Sequence, residues 1–142
     1  MDIDAAFDEI SNWEENLIAE GEELGAERGR ELGVQEGYEL GVVKGAEIGG
    51  EIGFYHGCYR VWTHMMETDG LKERINDRAG KAIVALGQLL DAFELRNIVD
   101  EDLMNKLLRI RAKFKVISAL MGLHGALQYS KEDVNAHKNM SF

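Results

Sequence analysis

Apolar residues recur at three- and four-residue intervals along much of the chain, a pattern typical of amphipathic helices. Two stretches in the second half, residues 71–95 and 101–121, each place leucine, isoleucine and phenylalanine on one side. Thr68-Asp69-Gly70 before them is typical of a turn, and residues 97–100 separate them. The pattern therefore predicts an antiparallel αα-hairpin. A first apolar stripe near the N-terminus is expected to pack against a partner or the second half of the chain: Ile3, Ala6, Phe7, Ile10, Trp13, Leu17 and Ile18.

Between this stripe and the hairpin, glycine occupies every fourth position over ten repeats. The ladder consists of Gly21, Gly25, Gly29, Gly33, Gly37, Gly41, Gly45, Gly49, Gly53 and Gly57. A helix turns about 400° in four residues, so each glycine lies about 40° round from the last. The position two residues after each glycine lies on the opposite side and is mostly glutamate. We predict one helix ending near Met66, with a bare glycine track that winds round it, backed by carboxylates.

Such a helix is weak when it stands alone. Glycine costs about 0.8–1.0 kcal/mol per interior helical position relative to alanine, or roughly 8–10 kcal/mol over the ladder. That sum is comparable with the net stability of a whole domain. A partner helix lying against the track would offset it, and because a period of four exceeds 3.6 it should wind right-handed. The alternative is a disordered Gly/Glu-rich linker, against which the strict period counts.

These features predict an all-α protein. We expect an N-terminal partner-binding helix over residues 1–66, a helical hairpin over 67–124 and a flexible tail over 125–142. The chain contains no proline, so nothing interrupts long helices. No signal peptide and no membrane span are expected from the sequence.

Charge is distributed unevenly between the two parts of the chain. Residues 1–57 contain 15 acidic and 3 basic residues, a net charge of -12, whereas residues 58–142 contain 11 acidic and 13 basic residues, a net charge of +2. The acidic part is unsuited to binding a nucleic-acid backbone. Five cations in the second part could contact RNA or an acidic partner, although a solvated face or pairing with the acidic part is favoured: Lys106, Arg109, Arg111, Lys113 and Lys115.

No arrangement of residues typical of an enzyme is found. The ladder lacks the Lys-Ser/Thr of a phosphate-binding loop, and the four histidines lack metal-ligand spacing. Cys58 is the single cysteine, so it forms no internal disulfide, and we interpret it as a small packing residue. The glutamates are interpreted as a solvated face. We therefore expect no catalytic residue, no metal ligand and no cofactor.

The end of the glycine ladder resembles a known family. The segment Ala46-Glu47-Ile48-Gly49-Gly50-Glu51-Ile52-Gly53-Phe54-Tyr55-His56-Gly57, followed by Trp62, is similar to the Yae/Lto family and closer to its Lto side. The segment Ile110-Arg111-Ala112-Lys113-Phe114-Lys115 also resembles the C-terminal helix of that family. The resemblance covers about residues 4–120 and the end of the tail.

This resemblance implies a non-enzymatic adaptor. Lto and Yae proteins form a complex through their glycine repeats and bring an ABC-type ATPase of ribosome recycling to the cytosolic iron–sulfur protein assembly (CIA) machinery. The ten ladder glycines would then bind a Yae-like partner. The client, rather than the adaptor, would receive the clusters. The implied location is the cytoplasm, with the nucleus as a further possibility, and no direct nucleic-acid partner is expected.

The resemblance also gives a role to the last three residues. Proteins of this system carry a C-terminal tripeptide of Leu/Ile/Met, then Asp/Glu/Ser, then Trp/Phe, and Met140-Ser141-Phe142 matches it at all three positions. Phe142 would fill an aromatic pocket of the CIA targeting complex, and its carboxylate would pair with a cation. The alternative from another class is a structural self-association module, because stator-like bacterial export proteins also carry Gly-x-x-x helices.

Overall fold

The computed structural model describes residues 2–94 and 101–130. Helix α1 spans Ile3–Glu67, helix α2 spans Asp77–Asp91 and helix α3 spans Glu101–Leu120. A short 3₁₀ helix, Lys72–Arg74, lies between α1 and α2. No strand occurs within the described ranges. The predicted all-α fold class with a long N-terminal helix is therefore confirmed.

Helix α1 ends one residue beyond the predicted Met66 and leads into the predicted turn. The Thr68 hydroxyl donates to the carbonyl oxygen of His64 over 2.8 Å, which caps the last turn. Gly70 then adopts a φ of 85°, a left-handed conformation that favours glycine. The N–H of Leu71 closes the reversal by donating to the Thr68 carbonyl at 3.1 Å.

The predicted bounds of the second helix, residues 71–95, are wrong at both ends. Helix α2 begins at Asp77 because the Asn76 side chain accepts a hydrogen bond from the Ala79 N–H at 2.8 Å. Such an N-cap satisfies an amide that a longer helix would have bonded internally. The helix ends at Asp91. The predicted break at residues 97–100 lies outside the described residues.

Helix α3 confirms the predicted third helix to within one residue. Gly122, with a φ of 70°, ends it in a Schellman arrangement. The Gly122 N–H donates to the Ala119 carbonyl at 3.2 Å, and the Leu123 N–H donates to the Ser118 carbonyl at 2.8 Å. Leu123 and Leu127, which follow this turn, pack against the core.

The chain divides into two compact units, Met1–Lys44 and Gly45–Phe142. The first unit contains the N-terminal part of α1. Its large apolar side chains are exposed, including the whole predicted stripe apart from the half-buried Ala6: Ile3, Phe7, Ile10, Trp13, Leu17 and Ile18.

The second unit contains a hydrophobic core to which all three helices contribute. Helix α1 supplies Ile52, Tyr55 and Trp62. The side chains that pack with them come from α2 and α3 and from just beyond α2: Ile83, Leu86, Leu90, Phe93, Leu107, Ile110, Phe114 and Ile117. Burying each large side chain contributes about 1.5–3 kcal/mol. The last turns of the glycine-repeat helix are therefore held by a core of their own.

Candidate partner-binding surface

The glycine track is open along the first unit. A Cβ built at each of its six glycines would meet no other heavy atom within 4 Å: Gly21, Gly25, Gly29, Gly33, Gly37 and Gly41. These glycines therefore do not serve to avoid a clash with described residues of the chain. The bare backbone is free for a close approach by another molecule, including weak Cα–H···O contacts.

Exposed apolar side chains border the track on both sides. One edge is formed by the residues directly before the glycines and carries Leu24, Leu32 and Leu40. The other edge is formed by the residues directly after the glycines and carries Val34, Tyr38 and Val42. All six side chains are exposed. Apolar rows of this extent beside small residues are typical of an interaction surface rather than of a solvated helix. The first unit therefore presents a bare groove with apolar edges.

Three ladder glycines of the second unit are also open, while the opposite side of the helix packs inward. A Cβ at Gly45, Gly53 or Gly57 would likewise meet nothing within 4 Å. Two residues after Gly49 and Gly53 stand Glu51 and Tyr55, and both are buried. The core thus covers the side opposite the glycines and leaves the glycine side outward.

The interpretation of the glutamates as a solvated face is wrong at Glu51. Only 6% of this residue is exposed. Its carboxylate accepts two hydrogen bonds from Arg111, from Nε at 2.6 Å and from Nη2 at 2.8 Å. The Tyr55 hydroxyl donates a third at 2.8 Å. Charge-assisted bidentate pairs of this kind are geometrically specific, so this one fixes how α1 lies against α3.

The electrostatics of this cluster follow from burial and pairing. Burial, together with the neighbouring Glu51 carboxylate, raises the pKa of Tyr55 above its ordinary value of 10.0. The hydrogen bonds to Glu51 raise the pKa of Arg111. Arg111 therefore stays charged, and Tyr55 stays a hydrogen-bond donor, throughout the physiological range. The cluster therefore acts as a structural clamp between α1 and α3.

Phe114 of α3 forms the apolar side of the same cluster. Its ring centroid lies 4.8 Å from that of Tyr55, 5.5 Å from that of Trp62 and 5.6 Å from that of Phe54. Aromatic pairs at such separations add stability beyond the area that they bury. The two segments that carried the family resemblance, the end of the ladder and residues 110–115, therefore meet in one core.

Sequence reasoning missed the role of Glu51 and Tyr55, although one signal was present. The track opposite the glycines is mostly glutamate up to Glu51 and becomes Tyr55 and Tyr59 in the next two repeats. A change from carboxylate to aromatic residues marks the point where a helix face enters a core. The bidentate partner on α3 could not have been found in this way, because its separation of 60 residues depends on tertiary packing.

The basic segment on α3 is partly paired within the protein. Arg111 pairs with Glu51 as described, and Lys106 Nζ lies 3.3 Å from Asp102 Oδ2. The Arg111 pair is one case of the pairing with the acidic part that was favoured together with a solvated face; for the other cations of the segment that interpretation stays a prediction. Cys58 is half-buried and packs against the core, as predicted, and burial raises the pKa of its thiol.

The remaining predicted residues stay predictions. Met140, Ser141 and Phe142 lie outside the described residues. Among the described residues, no group of three or more His, Cys, Asp or Glu side chains is placed to hold a metal ion. None of the described helices is long and apolar enough to cross a membrane.

The fold and the surface define an all-helical protein with an open glycine-repeat helix. Residues 23–59 match the family described as "Essential protein Yae1, N terminal". The chain is also 35% identical over 83 residues to "Protein LTO1 homolog" of Dictyostelium discoideum, covering 51% of this chain and 59% of that relative. No solved structure gives a significant match. Together the two matches support the predicted resemblance to the Yae/Lto family.

Proposed function

We propose that this chain is a non-enzymatic adaptor that acts in complex with a Yae-like partner. The observation that carries the proposal is the glycine track, which is open at every position from Gly21 to Gly45 and bordered by exposed leucines and valines. A second helix lying on the track would bury those side chains and gain close backbone contacts. That gain would offset the helix-forming cost of the glycines.

The finer part of the proposal rests on the Yae/Lto relationship. In the complex, the adaptor recruits an apo ABC-type ribosome-recycling ATPase to the CIA machinery, and so supports ribosome biogenesis and translation initiation. The tripeptide Met140-Ser141-Phe142 docks on the CIA targeting complex, with the Phe142 ring in an aromatic pocket. The adaptor works in the cytoplasm and also reaches the nucleus. Cluster chemistry then takes place on the client.

Blocking the track tests the partner interface. Gly37→Leu places a side chain where the partner helix would approach and is expected to reduce co-purification with a Yae-like protein. Gln35→Leu introduces the same side chain on the opposite side of the helix and is the matched control. If the Gly37→Leu protein co-purifies as the wild type does, close packing against the glycines is wrong.

Removing the last residue tests the tail separately. Deletion of Phe142 is expected to abolish recovery of the CIA targeting complex while the Yae-like partner is still recovered. Asn139→Ala, just before the tripeptide, should change neither. Recovery of the targeting complex with the truncated bait would show that the tripeptide does not dock.

Light scattering separates this function from structural self-association. Residues 1–44 hold 13 acidic and 3 basic residues, so two copies side by side repel each other. We expect the isolated chain to be a monomer that forms a complex when the Yae-like partner is added. A stable homodimer that does not exchange with that partner would favour the self-association module.

A further inference from the structure

The residues directly before the glycines of the first unit form a row in which charge and leucine alternate. This leucine–charge row consists of Glu20, Leu24, Arg28, Leu32, Glu36, Leu40 and Lys44. All seven residues are exposed. The charged members follow one another every eight residues and change sign each time. Since a helix rises 1.5 Å per residue, charges of alternating sign stand about 12 Å apart along the edge of the track.

The other edge of the track repeats the start of this pattern. Glu22 and Arg30 are also eight residues apart and opposite in sign, and Ala26 and Val34 follow them at four-residue distances. Glu20 and Glu22 thus make a negative level across the track, and Arg28 and Arg30 a positive one. On both edges, therefore, the sign of the charge changes at the same positions along the helix axis.

The glycine ladder by itself cannot specify how a partner helix is aligned along it. Every shift by four residues, about 6 Å, brings the partner against an identical glycine. The leucine–charge row removes this ambiguity. A shift by four residues puts each charge opposite a leucine, and a shift by eight puts like charges opposite each other. Charge patterns beside an apolar seam set alignment and partner choice in coiled coils by the same means.

We propose that the leucine–charge row docks on a helix of the Yae-like partner that carries opposite charges at the same eight-residue spacing, and that it fixes the register of the complex. The proposal rests on the proposed function, because it takes the Yae-like protein as the occupant of the track. Charge complementarity identifies the occupant's chemistry: an apolar seam bordered by a cation, an anion and a cation opposite Glu20, Arg28 and Glu36.

The ion pair of Arg28 within the chain leaves its guanidinium accessible to another molecule. Arg28 Nη1 lies 3.2 Å from Glu31 Oε2, but both side chains are mostly exposed, at 72% and 63%. Exposed pairs of this kind contribute little and exchange readily with water. An antiparallel second copy would also place Arg28 against Glu36, yet it would bring together two units that each carry 13 acidic and 3 basic residues. The repulsion between them favours a different chain as the occupant.

Two pairs of variants with matched charge changes test the register. Glu36→Lys and Glu39→Lys each alter the net charge by the same amount, but only the first lies in the row, since Glu39 belongs to the side opposite the glycines. The second pair consists of Arg28→Gln, which lies in the row, and its control Gln35→Glu, which lies on the side opposite the glycines. The full-length proteins are titrated with purified Yae-like partner in 0.1 M and in 1 M NaCl, with circular dichroism to confirm equal helicity and light scattering to give the stoichiometry.

We expect Glu36→Lys to weaken binding about five- to tenfold in 0.1 M salt, Arg28→Gln to weaken it less, and both controls to change it less than about twofold. In 1 M NaCl, where the Debye length is about 3 Å, the differences should shrink. Equal effects of row and control variants would show that the row does not fix the register, while leaving the proposed function intact. No binding by the wild type would overturn both, and a charge-sensitive homodimer would assign the row to a second copy.

Discussion

Gly87 of α2 is a position where an added methyl group would meet the ring of Tyr59 on α1. A Cβ at this residue would lie 2.6 Å from the ring atoms of Tyr59, closer than any real contact. Gly87→Ala should therefore push Tyr59 out of place and lower the free energy of unfolding by about 1–3 kcal/mol, although alanine is the better helix former. Urea unfolding followed by circular dichroism measures the change.

Gly80, in the same helix, provides the control for this substitution. A Cβ there would meet only the Met66 sulfur at 3.6 Å, an ordinary contact. Gly80→Ala should leave stability unchanged or raise it by up to about 1 kcal/mol. If the two alanine variants unfold alike, the packing of Tyr59 against Gly87 does not hold the core together.

The pair formed by Glu51 and Arg111 makes a second prediction at the level of single residues. Arg111→Met leaves a buried carboxylate with only part of its hydrogen bonds, and should cost about 2 kcal/mol of unfolding free energy. The figure lies below that for a fully buried pair because 39% of the Arg111 side chain is exposed. In the Glu51→Gln background the same change should cost clearly less, since no charge remains. Equal costs in both backgrounds, measured in a double-mutant cycle, would show that the charge pair is not coupled.

Among the helices, α1 is less stable in the first unit than it would be with alanine at the glycine positions. A Cβ at Gly33 or Gly41 meets nothing, so alanine is sterically free at both positions in the isolated chain. The double variant Gly33→Ala/Gly41→Ala should stabilise the free helix by about 0.8–1.0 kcal/mol per site and raise the circular dichroism signal at 222 nm.

The reverse change, Ala26→Gly on the exposed edge of the same helix, should lower that signal. If neither substitution alters the helicity of the free chain, the tract is not helical in solution, as the linker alternative expects. A rise of the circular dichroism signal in the alanine variant would instead show that helix formation and partner binding make opposite demands on these positions. Helix formation favours a side chain there, and close approach of a partner favours none.

The elements differ in how far the sequence could predict them, and the reason is physical. A strict glycine period and apolar residues at three- and four-residue intervals are local signals, so the bounds of α1 and α3 follow from the sequence to within one or two residues. The start of α2 depends on whether Asn76 caps the helix or Leu71 and Ile75 continue it, and both readings fit the spacing. The inward turn of Glu51 was out of reach, because it depends on a cation 60 residues away.

For the whole molecule, stability and interaction are divided between the two units. Every described residue with a buried side chain lies beyond Lys44, and within the first unit all described residues are exposed except the half-buried Ala6. The energy that folds the protein therefore resides in Gly45–Phe142, and Met1–Lys44 contributes surface. The division suits the proposed adaptor function, because a partner could bind or leave the first unit without unfolding the core.

This division predicts that a fragment of residues 45–142 folds without the first unit. It keeps the core side chains of α1, from Ile52 to Trp62, together with α2 and α3. The fragment should unfold cooperatively on heating, with a midpoint within about 5 °C of that of the full chain, because a loss of less than about 1 kcal/mol shifts the midpoint by only a few degrees.

Hydrogen exchange on the full chain provides the complementary measurement. Amides of residues 3–44 should exchange much faster than those around Trp62 and Phe114, since no buried side chains protect the first unit. An unfolded fragment, or equally slow exchange in both units of the isolated chain, would mean that the first unit is part of the folding core.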